Sequence, residues 1–164
     1  MNTSVARILE TKIKKMIIVF MIFLLVSGIT AFPLEPELKL LLSIKHYFPA
    51  ALAPWLQTVS NAITATNANY PFMSYGTDWL AFAHIVIAVV FIGPLRDPVR
   101  NIWVIQFGMI ACVMIFPLAF ICGAIRQIPF YWQLIDCSFG ILGFIPLYLC
   151  FRWIKQLEIL TINK

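Results

Sequence analysis

Charge is scarce in this chain. Asp, Glu, Lys and Arg make up 12% of its 164 residues, well under the roughly 25% of soluble domains, while hydrophobic residues make up 62%. With a mean hydropathy of +0.91, that balance excludes an ordinary soluble domain. The marks of common chemistries are absent too. There is no glycine-rich phosphate loop, no internal repeat, no low-complexity tract and no established catalytic signature. Cys112, Cys122, Cys137 and Cys150 all fall inside apolar runs without C-x-x-C spacing, which argues against a metal site or disulfide framework and leaves them as small packing residues. The sequence implies no cofactor and no metal.

What the chain has instead is long apolar runs. Backbone amides cannot stay unpaired in hydrocarbon, so such runs cross a bilayer as helices, and their length argues against a barrel. Four are predicted, at about 16–32, 78–93, 102–125 and 131–154, giving an all-α, four-helix transmembrane bundle in a single membrane domain. The first run follows Lys12, Lys14 and Lys15 and stops at Phe32-Pro33; being short, it draws on Ile13 and Phe32 to cover the ~30 Å core. A cleaved signal peptide is the rival reading, but Ile29-Thr30-Ala31 is a poor cleavage site. Thr77 or Asp78 is the expected N-cap of the second span. Pro117 and Pro146 are expected to interrupt the last two spans, each removing one backbone hydrogen bond.

Orientation follows from the basic residues. Arg7, Lys12, Lys14, Lys15, Arg96, Arg100, Arg152, Lys155 and Lys164 fall on one side, and Lys39, Lys45 and Arg126 on the other. The positive-inside rule puts the first set, and both termini, in the cytoplasm. It also accounts for the pI near 9.2 without nucleic acid. Trp79, Tyr131 and Trp132 would mark the outer interface, Trp103 and Trp153 the inner one. The long connection 33–76 is too apolar for a solvated loop. Pro36 and Pro54 each start a pattern of helical period, predicting two short amphipathic helices on the outer bilayer surface or over the bundle, with 64–69 as a flexible break.

Ionisable residues inside a span are costly and mark either a site or a structural pair. His84 lies five residues past Trp79 and Asp136 five past Tyr131, so both are expected roughly 8 Å below the outer ends of their helices. Ala81 and Ala88 share the face of His84, and Gly140 and Gly143 that of Asp136, so both are expected to point into the bundle. Asp78, Arg126 and Glu35 fall in the same region. His84, Asp136, Arg126 and Asp78 form the candidate polar pocket, able in principle to relay a proton or hold a polar head group. The plainer reading makes Asp136 a first-turn dipole partner, His84 an inter-helix hydrogen bond, Asp78 a cap, and Arg126 a snorkelling head or the partner of Asp136. In the inner turn, Asp97 is expected to cap the third helix or pair with an arginine.

The segments Ala31-Phe32-Pro33-Leu34-Glu35, Tyr75-Gly76-Thr77-Asp78-Trp79-Leu80-Ala81-Phe82-Ala83-His84, Arg96-Asp97-Pro98-Val99-Arg100-Asn101 and Leu134-Ile135-Asp136-Cys137-Ser138-Phe139-Gly140 give the chain its resemblance to an uncharacterised family of small four-span bacterial membrane proteins. The resemblance covers all but the first ten or so residues. It implies a bacterial inner-membrane protein and carries no activity.

The leading expectation is a non-catalytic packing, assembly or regulatory protein whose partners are the lipid bilayer and either another protein or further copies of itself. One alternative is an outward-facing small-ligand or proton-coupled binding or transport pocket built on His84 and Asp136. The other is a lipid-modifying membrane enzyme, for which no nucleophile accompanies the two residues.

Overall fold

The structure, a computed structural model, describes residues 2–162; Lys164, counted above with the inner basic residues, lies outside them. It is 89% helical, with no strand among the described residues. The helices are α1 (Asn2–Ala31), α2 (Leu34–Ser43), α3 (Leu52–Asn69), α4 (Tyr75–Val90), α5 (Ile92–Arg96), α6 (Ile102–Pro117), α7 (Gly123–Ile125) and α8 (Phe130–Ile162). Four stretches are long and apolar enough to cross a membrane: Ser4–Ala31, Pro71–Arg96, Ile102–Ile125 and Phe130–Thr161. The protein is therefore all-α and a multi-pass membrane protein. Exposed apolar side chains along these stretches, among them Phe23, Val89, Met114 and Leu142, make the surface that lipid requires.

Two compact units emerge, one from residues 2–22 with 89–162 and one from Phe23–Ala88; α1 and α4 contribute to both. In the first unit, α6 and α8 run antiparallel in close contact. Their seam is built from small residues. A β-carbon added to Gly140 would sit 2.7 Å from the Cys112 carbonyl oxygen, one on Gly108 would meet Leu147 at 2.8 Å, and one on Gly143 would meet Cys112 Sγ at 2.9 Å. Small side chains let backbones approach where lipid supplies no hydrophobic drive toward association. On α8 the buried positions Gln133, Cys137, Gly140, Leu147, Cys150, Ile154 and Leu157 recur at spacings of three, four and seven, the period of a left-handed coiled seam.

The first part of α1 lies along α8 in the same unit. Ile13 and Ile17 are wholly buried, the Cys150 thiol faces the Ile13 carbonyl at 4.0 Å, and Lys12 sits 5.9 Å from the Trp153 ring centre. A β-carbon on Gly143 would lie 3.6 Å from Phe20, whose ring centre is 4.8 Å from that of Phe91 at a tilt of 46°. Rising numbers on α1 thus meet falling numbers on α8, so the two helices are antiparallel here.

The prolines behave differently from one another. Pro117 closes α6 and is followed by a wide π-helical turn over Leu118–Cys122, where a freed carbonyl has room to relax, whereas α8 passes through Pro146 without a break. The turn between α5 and α6 is also built otherwise than expected. Asp97 accepts a hydrogen bond from the Arg100 amide at 3.0 Å and makes no ion pair among the described residues, and Asn101, the N-cap residue of α6, donates its side-chain amide to the carbonyls of Asp97 (2.9 Å) and Gly93 (3.2 Å).

In the second unit, α2 and α3 pack together, with Leu38 and Leu56 as their buried apolar residues. Pro36 and Pro54 lie in the first turns of these helices, where a missing amide costs nothing. The expected flexible break at 64–69 is corrected: α3 continues to Asn69, because its polar side chains find partners across the helix pair.

Candidate functional site

His84 is the tenth residue of α4 and half-buried. Its Nδ1 lies 2.8 Å from the Leu80 carbonyl, which can only accept, so Nδ1 carries the proton of that hydrogen bond. The ring's stem borders the last part of α1: a β-carbon on Gly28 would meet the Ala81 carbonyl at 2.8 Å and His84 Cβ at 3.1 Å. Ala81 and Gly28 are the small residues that bring these helices together. Asp78, expected as a cap, instead falls in the first turn of α4, which begins at Tyr75; the Thr77 hydroxyl donates to the Ser74 carbonyl at 2.6 Å. The Pro71–Ser74 helical turn runs straight into α4, so the helix starts earlier than its hydropathy.

Asp136 belongs to the first unit. It is the seventh residue of α8, half-buried, and beyond the first turn, so the dipole reading loses most of its force. No hydrogen bond or ion pair to its side chain occurs among the described residues. Arg126, exposed at the end of α7, is therefore not its partner there. The buried polar group nearby in sequence is Gln133, which donates to the Ile128 carbonyl at 2.8 Å and fills the space that Gly123 leaves open. That amide ties the end of the α6–α7 stretch to the start of α8 around the turn where Gln127 adopts a φ of 57°.

The most developed polar arrangement is centred on Glu35. Its Oε1 accepts from Lys39 Nζ at 2.8 Å and from the Thr64 hydroxyl at 3.1 Å, and its Oε2 from Asn67 Nδ2 at 2.9 Å. Asn67 in turn accepts from the Ser74 hydroxyl. Lys39 first, then the two neutral donors, hold the Glu35 carboxyl down to about 2. The cluster joins α2, α3 and the Pro71–Ser74 turn. The sequence offers a weak signal for it, since Glu35 and Lys39 are four apart on one helix, but nothing in the order of residues links them to Thr64 and Asn67.

Among the described residues, no group of three or more His, Cys, Asp or Glu could hold a metal ion. No protein-family model, curated protein or solved structure matches the chain.

Proposed function

We propose that the protein is a non-catalytic multi-pass component of a bacterial inner membrane, with both ends cytoplasmic, that serves the packing, assembly or regulation of a membrane complex. The observation that carries this reading is the hydrogen bond from His84 Nδ1 to the Leu80 carbonyl, which makes the imidazole part of its own helix where that helix meets Gly28. A histidine held this way works as a packing group. The nine-to-three division of basic residues supports the orientation.

The test is to extract the chain from its native membrane in a mild detergent, alongside His84→Gln and Asp136→Ala at equal expression. The reading expects one assembly heavier than a single 18.7 kDa chain, of unchanged mass in both variants. A monomeric wild type would defeat it.

A second reading is favoured by Asp136, a half-buried carboxyl in a span with neither hydrogen bond nor ion pair among the described residues. An ionisable group inside a span is a candidate proton-coupled site. Here proteoliposomes under an imposed pH gradient would carry protons, and Asp136→Asn or His84→Gln would stop them. Proton flux equal in both variants and wild type excludes this reading.

A further inference from the structure

A second feature of the α2–α3 pair is independent of the assembly reading. Between the two helices lies an open groove of about 520 Å3, within the roughly 300–1,000 Å3 usual for ligand sites. Lys39, Gln57, Ser60, Asn61 and Thr64 line it, over an apolar floor that includes Leu42 and Ala65. Ser60 is the least exposed of these lining residues, only 6% exposed.

The chemistry of the lining narrows the ligand. Lys39 is the only charged residue lining the groove, and Glu35 at its edge neutralises it at 2.8 Å, so neither an anion nor a cation finds net attraction. Gln57 donates to Asn61 Oδ1 at 2.9 Å, which leaves the Asn61 amide protons and the Gln57 carbonyl directed elsewhere. Thr64 gives its proton to Glu35 and keeps lone pairs to accept. The groove therefore offers both donors and acceptors. A phosphate offers acceptors alone, whereas a hydroxyl both donates and accepts. We propose that the groove binds a neutral, hydroxyl-rich ligand of the sugar or polyol class, with Ser60 and Asn61 as its principal hydrogen-bonding residues.

Such hydroxyls can come from a free saccharide or from the sugar head of a glycolipid. The full chain, prepared without glycoside detergents in phosphatidylcholine nanodiscs, would be titrated with glucose, maltose and glycerol phosphate while side-chain amide signals are followed by NMR. A parallel set of discs would contain glucosyl diacylglycerol. Saturable shifts of the Asn61 and Gln57 amides with glucose or maltose are expected if the source is free, and shifts confined to the glucolipid discs if it is lipid-borne. Asn61→Ala and Ser60→Val should each weaken binding about tenfold, a change of about 1.4 kcal/mol. Asn61 is exposed, so its variant keeps the fold even if Ser60→Val does not. No saturable shift with any sugar overturns the proposal. So does a response to glycerol phosphate alone, or equal binding by Asn61→Ala.

Discussion

The α6–α8 seam and the α2–α3 pair are both antiparallel-scale helix contacts between neighbours in sequence, yet they are held by opposite means. Along the seam, Gly108, Cys112, Gly140 and Gly143 bring backbones together, and among the described residues the one buried polar side chain there is Gln133 at one end. Between α2 and α3 the buried apolar side chains are Leu38 and Leu56, and a carboxylate with three donors supplies the cross-links. The contrast follows the solvent. In hydrocarbon a side chain gains nothing from being hidden from its surroundings, so shape decides; outside it, a carboxylate is affordable and hydrogen bonds set the register.

Substitutions that attack each mechanism separately sharpen this contrast. The largest effect is expected from Gly140→Val, which drives a branched side chain against the Cys112 carbonyl and should destabilise the first unit by about 3 kcal/mol, measured by denaturation in mixed micelles. A neutral result would mean that α6 and α8 are not in backbone contact. Gln133→Ala comes next, at about 2 kcal/mol, because it leaves the Ile128 carbonyl without its donor. Thermal unfolding in the same micelles checks it.

Glu35→Gln should accelerate hydrogen exchange across α3 and the Pro71–Ser74 turn while leaving the seam amides protected. The same carboxyl predicts an acid response. Its folded value of about 2 lies below the ordinary 4.5, so its contribution to stability is complete above about 4.5 and fades as pH falls toward 2. Exchange in α3 should rise over that window in the wild type and less so in Glu35→Gln. The smallest effect belongs to Lys155→Ala, which removes an exposed pair with Glu158 and should shift the unfolding midpoint by less than about 0.5 kcal/mol.

The spans were legible because hydropathy alone determines which segments enter lipid, and α2 and α3 because Pro36 and Pro54 announce helix starts. Helix limits were less so. The run 64–69 reads as a loop by composition and is helical because Thr64 and Asn67 serve a carboxylate some thirty residues earlier. Asp97 and Asn101 show the same limit at shorter range: both are cap residues by type, and only the folded turn assigns Asn101 to the Gly93 carbonyl. For the candidate pocket, the sequence picked out His84 and Asp136 as ionisable groups within spans. It had no means of seeing the Leu80 carbonyl as the histidine's partner, since any helical histidine has a carbonyl four residues back.

The four cysteines give the fold an intrinsic reporter. Cys112, Cys137 and Cys150 are buried in helix contacts, while Cys122 stands exposed in the π turn. A small membrane-permeant thiol reagent should therefore mark the intact chain once, and each additional adduct would record the opening of a particular helix contact. The order in which the remaining three thiols become reactive would trace how the first unit comes apart, with no engineered label.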